Sequence, residues 1–246
     1  MIASEGHGWA LAVFPLAAAA LAAAFGWQLL RRFVARRRPH EGTWAVAMAM
    51  FAVASLAMFL GVVRGWQPAD FRLYWLFGAV LNVPYLAQGE LYLLIHERRW
   101  AHVVAAVLLV GTAFAAWKVM RAPLAQPALS NRLPLGKDVF GDNSAPYRLS
   151  QLYAFPAYFL LLGGCVWSAF RMKGNRALRD RTAGTLGIAT GATLVAIGSG
   201  VGAGFHVVPL FSVSLAAGIA VMYWGFLRAS RRRVAGPGSS ASTAQV

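Results

Sequence analysis

The chain has 246 residues, 59% of them apolar and 13% charged, with a formal charge of +15 and one cysteine. An ordinary globular domain carries roughly twice that share of charge, and a lone cysteine excludes an internal disulfide and any CxxC or thiolate-cluster site. In a soluble domain the positive charge would point to nucleic acid. Here the basic residues sit in short tracts between apolar blocks, where they orient a chain in a bilayer and meet anionic head groups, so nucleic acid is excluded as a partner and the lipid bilayer takes its place.

The blocks are about 20 residues long, enough to cross roughly 30 Å of hydrocarbon as helix. They predict an all-α polytopic bundle of seven transmembrane helices over 1–227. Span 1 runs over about 9–30. Its leading segment holds Glu5 and no Lys or Arg, and the positive charge follows it, the reverse of a signal peptide. Span 2 covers 44–63 and span 3 covers 71–95; a tight turn through His96–Arg99 leads to span 4 at 100–120. The connection 121–150 holds four of the 11 prolines and is expected to be an outer loop. Spans 5, 6 and 7 cover 152–170, 183–202 and 205–227. The tail, 228–246, begins basic and becomes Gly/Ser/Ala-rich, the composition of a disordered cytoplasmic segment.

Charge sets the orientation. With the N-terminus outside and the C-terminus in the cytoplasm, 16 of the 23 Lys and Arg fall on the inner side, and Arg64, Arg72, Lys118, Arg121, Arg132, Lys137 and Arg148 on the outer. All nine tryptophans fall at span ends, where an indole would lie among head groups. The excess of arginine over lysine, with much Ala and Gly, fits a GC-rich bacterial genome and hence an inner (plasma) membrane protein.

Span 3 is the most polar block. At 100° per residue Asn82, Tyr85, Gln88 and Tyr92 share one sector, which should face the bundle or a cavity because polar groups facing lipid cost free energy. Pro84 removes a backbone hydrogen bond and predicts a kink near Val80. The stripe reads either as a ligand pocket or as interhelical hydrogen bonding, each such bond contributing about 0.6 kcal/mol. Glu90, nearly opposite Gln88, is the one acid placed inside a span. At that depth a carboxylate should find a cation, from Arg98, Arg99 or an arginine of another inner loop, or take up a proton, and it would serve as a coupling group or as an inner salt bridge.

No histidine lies near the middle of a span. His40, His96 and His102 share the inner side; His7 and His206 share the outer side with Glu5, Asp70, Asp138 and Asp142, without metal-site spacing. No metal and no cofactor is expected. Gly187, Gly191, Gly198 and Gly202 form small-xxx-small steps that let helices approach closely. The glycine alternation at 198–204 does not satisfy a nucleotide-loop pattern. Seven helices with an outer N-terminus is the layout of rhodopsins, but span 7 has no lysine for a retinal Schiff base. Cys165 reads as a small buried hydrophobe.

The aromatic opening Phe71–Tyr74–Trp75, the kink at Pro84, the basic hairpin into span 6 and the ending Trp224–Arg228 together resemble the seven-helix sensor regions of bacterial histidine kinases. The stretch Phe71–Leu94 also resembles uncharacterised polytopic membrane proteins of high-GC Gram-positive bacteria. The resemblance implies sensing through a membrane or cytoplasmic partner, because no output domain is read in the chain. The residues alone leave three readings: a non-enzymatic ligand-sensing or partner subunit with a site at Asn82, Tyr85, Gln88 and Tyr92; a small transporter or channel with Glu90 as its coupling carboxylate; and a membrane-embedded enzyme, for which only Asp138, Asp142, His206 and His7 are candidates.

Overall fold

A computed structural model describes the backbone of residues 3–95, 97–130, 133–172, 179–202 and 208–229, with the side chains of 12–95, 97–130, 133–172, 182–200 and 209–229. All regular structure among these residues is helical. Six helices are long and apolar enough to cross a membrane: α1 (Ala3–Arg36), α2 (Pro39–Arg64), α5 (Arg98–Arg121), α7 (Ala145–Met172), α8 (Arg179–Ile197) and α9 (Val208–Ala229). Between α2 and α5 the chain is helical without a break from Pro68 to Leu94, divided into α3 (Pro68–Tyr74), a π segment (Trp75–Leu81) and α4 (Asn82–Leu94).

The helix ends follow from local chemistry. Arg37 turns into the left-handed region at φ 51, its N–H bonded to the Phe33 carbonyl at 2.7 Å, and so ends α1. Pro39 opens α2 at the first turn, where a missing N–H costs nothing. Gly65 at φ 83 ends α2, and Pro68 opens α3. The kink expected near Val80 is a π widening. Pro84 has no N–H for the Val80 carbonyl, its ring would strike that carbonyl, and the wider pitch just before Asn82 relieves both.

Helix contacts run α1–α2–α4–α7–α8–α9 and back to α1, a closed ring, and α5 lies outside it against α4 and α7. Only 11% of the apolar window of α5 is buried, against 44% for α2 and for α9. The α8–α9 contact is built on glycine. A Cβ on Gly191 would lie 2.5 Å from the Gly218 carbonyl oxygen, and one on Gly187 would lie 2.9 Å from the Gly225 Cα. Gly198 faces Ser214 on the same seam. The side-chain surroundings of Gly202 lie outside the described residues, as do those of His7 and His206, together with His96 and the tail beyond Ala229.

Two expectations change. The connection 121–150 is not a plain loop: it holds a 3-10 turn (Gln126–Ser130) and α6 (Gly136–Phe140), and α7 begins at Ala145 rather than near Leu152. Its prolines do break it into short pieces, but Leu129, Leu133, Leu135, Val139 and Phe140 between them are buried, so the segment folds back as a cap. Nor do all tryptophans lie at a lipid interface. Trp27, Trp100, Trp117, Trp167 and Trp224 are exposed, but Trp66 and Trp75 are buried and Trp44 donates its Nε1–H to the Leu86 carbonyl at 3.0 Å. Each of these three packed indoles rests on a glycine that leaves it room: Trp66 on Gly61, Trp44 on Gly89 and Trp75 on Gly136.

Candidate functional site

The polar stripe of span 3 divides between two neighbours. Asn82 is buried and donates its Nδ2–H to the Ala47 carbonyl of α2 at 2.7 Å, a contact between helices of the ring. The other three turn to α5. Tyr85 pairs its hydroxyl with Thr112 Oγ1 at 3.1 Å, Gln88 donates its Nε2–H to the Ala101 carbonyl at 2.8 Å, and the Tyr92 hydroxyl meets His102 Nδ1 at 3.0 Å. These bonds, with Tyr153 donating to the Gly111 carbonyl from α7 and Arg72 donating to the Val119 and Ala122 carbonyls at the far end, hold a helix with little packing of its own.

Because α5 stands off from the ring, a groove of about 890 Å³ opens between it and α1 and α2, within the size range of small-molecule sites. Tyr85, Gln88 and Tyr92 of α4 line it together with His102; Asn82 does not. Apart from Thr43, whose hydroxyl donates to the Pro39 carbonyl, the remaining walls are apolar, with Trp27 and Leu30 on α1, Val46 and Ala49 on α2 and Leu109 on α5 among them. Exposure of Trp27, Leu30, Val46 and Leu109 leaves the groove open sideways, toward the hydrocarbon that would surround the helices.

Gln88 is 3% exposed, and its Oε1 is buried with no hydrogen-bond partner. The Ala101 carbonyl can only accept, so the amide nitrogen must face α5 and the oxygen is the atom left over. An acceptor buried without a partner costs about 1–3 kcal/mol.

Glu90 lies on the other side of α4, against α7. It is 4% exposed, its Oε1 accepts the Ser168 hydroxyl at 3.4 Å, and Gly164 leaves the space it fills. Arg98 and Arg99 do not pair with it, Arg99 binding Glu97 at 2.7 Å instead; among the described residues no basic side chain pairs with it, and the basic side chains of the connection 173–181 lie outside the described residues. Arg98 and Arg99 begin α5, outside the ring, whereas Glu90 faces α7. Cys165 is buried beside the same contact. Asp138 and Asp142 are exposed on the cap, and among the described residues no group of three or more His, Cys, Asp or Glu side chains is placed to hold a metal.

Sequence reasoning missed His102, which lines the groove from α5, and Thr112, which bonds Tyr85 from the same helix. Their spacing from span 3 is set by the turn after Leu94, and only the register of α5 brings them opposite Tyr92 and Tyr85. No known protein family matches the chain, and neither a curated protein nor a solved structure is detectably similar to it.

Proposed function

We propose that this is a seven-span protein of a bacterial plasma membrane, N-terminus outside, that binds an amphipathic small molecule in the lateral groove. It signals through a membrane or cytoplasmic partner rather than by catalysis. The open groove beside α5, apolar except for an edge of Thr43, Tyr85, Gln88, Tyr92 and His102, carries this reading. Helical continuity from Pro68 to Leu94 supports a seventh crossing, which the π segment interrupts only locally. Most described arginines gather at the end holding Arg36–Arg38 and Arg98–Arg99, as expected for the inner face. The likeness of the layout to histidine-kinase sensor regions favours a sensing role.

The test uses the full chain in bilayer nanodiscs with a photoreactive amphiphile, an uncharged monoacylglycerol with a diazirine in its chain. Label on Trp27, Leu30, Ala49 and Leu109 is expected to be competed away by unlabelled monoacylglycerol at low mole fraction and blocked by Ala49→Trp. Label on the lipid-facing Val107 and Phe159 should be unaffected. Groove labelling that neither competition nor Ala49→Trp reduces would mean ordinary lipid contact and no site.

A second reading rests on Glu90, a buried carboxyl with a hydroxyl and, among the described residues, no cation beside it, which is the chemistry of a proton- or cation-coupled carrier. Glutamine keeps the volume and the acceptor for Ser168. On this reading Glu90→Gln abolishes proton or sodium flux into proteoliposomes while leaving the fold intact. Equal flux with the wild type and the variant removes the coupling role.

A further inference from the structure

The groove is one leaflet deep. Its lining runs from Phe33 back to Ala23 on α1, from Pro39 to Ala52 on α2, from Tyr92 back to Tyr85 on α4 and from His102 to Leu109 on α5. On α1, α2, α5 and the unbroken helical stretch Pro68–Leu94, these residues lie in the half toward the end that holds Arg36–Arg38 and Arg98–Arg99, and Ala52, at the middle of α2, reaches furthest from it. Pro39 to Ala52 is about 20 Å at helical rise, the thickness of one leaflet with its head groups. A partner helix roughly 10–12 Å across would fill about 1,900 Å³ over that length. The groove offers 890 Å³, so it suits a hydrocarbon chain and not a helix.

The free hydrogen-bonding groups of the groove sit at one end of it. Tyr85 has its hydroxyl paired with Thr112, Gln88 gives its Nε2–H to Ala101 and keeps its Oε1 buried, and Thr43 has spent its hydrogen on the Pro39 carbonyl. That leaves Tyr92 and His102, which line the groove side by side with the hydroxyl 3.0 Å from Nδ1. Tyr92 is half-buried and His102 exposed. The bonds from Trp44 to Leu86 and from Asn82 to Ala47 set α4 antiparallel to α2, and that register brings Tyr92 level with the start of α2. The pair therefore stands at the shallow end, where a lipid carries its polar group, and the walls beyond are apolar.

The pair has a fixed surplus. With a neutral imidazole, either the tyrosine hydroxyl donates to Nδ1, which frees Nε2–H as a donor and the phenol oxygen as an acceptor, or Nδ1–H donates to the phenol oxygen, which frees the O–H as a donor and Nε2 as an acceptor. Both tautomers leave one donor and one acceptor. A hydroxyl answers both halves. A carboxylate, an ester or an ether oxygen only accepts and answers one. No Lys, Arg, Asp or Glu is among the described residues lining the groove, so nothing in it neutralises a charged head.

We propose that the groove takes an uncharged lipid with a free hydroxyl, of the acylglycerol class, from the leaflet at the arginine-rich end, its hydroxyl bonded to the Tyr92–His102 pair and its chain running toward Ala52 and Leu109. This rests on the reading of the groove as a ligand site and adds the class of ligand and its direction.

The test is the nanodisc competition assay with two monoacylglycerol probes, one with the diazirine beside the glycerol and one with it at the chain end. The first is expected to label Thr43 and His102, the second Ala52 and Leu109. Unlabelled monoacylglycerol should compete about tenfold better than its ether with both glycerol hydroxyls methylated, the net value of one or two hydrogen bonds. The primary amide of the same chain, which also donates and accepts, should match the free hydroxyl. Tyr92→Phe with His102→Leu should make ether and hydroxyl equal while both still compete. Tyr153→Phe removes a bond that holds α5 from α7 without touching the groove lining, and should keep the preference, which separates recognition from a loosened α5. An ether as good as the hydroxyl on the wild type, an amide no better than the ether, or a preference that survives the double substitution overturns the head-group contact and leaves the groove a site. Chain-end label on Thr43 and His102 overturns the direction. If no competitor displaces either label, the site itself is overturned.

Discussion

Gly225→Leu is expected to lower the stability of the bundle by about 3 kcal/mol, the upper end of the usual cost of overpacking. A Cβ at Gly225 would lie 2.6 Å from the Gly184 carbonyl oxygen and 3.0 Å from the Ile188 amide nitrogen. Both are backbone atoms of α8, which cannot rotate aside as a side chain would, so the helices themselves must separate. In a bilayer that separation is costly, because lipid chains are as apolar as leucine and helix association relies on close van der Waals contact and interhelical hydrogen bonds. The loss extends to the ring, since α9 also packs on α1, where Phe25 meets Tyr223 and Phe226 at centroid distances of 5.2 and 4.8 Å. The measurement is the folded fraction on titration with a denaturing detergent, read by size-exclusion fluorescence. Gly163→Leu is the control, because Gly163 on α7 has nothing within 4 Å of a Cβ and should tolerate the change. Equal midpoints for the two variants would mean that α8 and α9 do not depend on this close approach.

The same seam shows what a single sequence displays and what it hides. Gly187, Gly191 and Gly198 are legible as a packing face because they recur at helical spacing. Gly218 and Gly225 on α9 stand seven apart in an apolar run and become meaningful only once α8 is laid against them. The apolar blocks, their basic ends and the polar stripe of span 3 were legible for a related reason. Each is a periodic or compositional signal confined to one element. The standing-off of α5 was not, because its sequence is as apolar as that of its neighbours and only the closure of the other helices into a ring leaves it outside. That closure is also what turns Tyr85, Gln88 and Tyr92 into one wall of a groove and sends Asn82 to α2. Glu90 was visible as an exception inside a span, but its neighbour Ser168 lies 78 positions away, and no local pattern links them.

Gly136→Val is expected to loosen the folded-back connection between α5 and α7. A Cβ at Gly136 would fall inside the indole of Trp75. That indole has nowhere to go: its Nε1–H donates to the Pro146 carbonyl at 3.1 Å, and its ring stacks on Phe71 at 6.0 Å and on Tyr147 at 6.3 Å. The cheaper response is for α6 to lift, which would uncover Val139 and Phe140 and lose the bond from the Ala125 N–H to the Val139 carbonyl. With an overpacking cost of about 1–3 kcal/mol confined to this segment, the open form gains roughly tenfold for each 1.4 kcal/mol, and trypsin should cut at the exposed Lys137 faster in the same proportion. The rest of the ring does not rely on α6, so the detergent midpoint of the α8–α9 contact should stay where it is. Gly141→Ala is the informative partner. It lies in the same cap with open space around it but with φ at 91, so its cost is backbone strain alone, about 1–2 kcal/mol. Faster cleavage in both variants, with the full tryptophan fluorescence change only in Gly136→Val, is the expected pattern. Cleavage of Gly136→Val at the wild-type rate would show that the seat of Trp75 is not what holds the cap down.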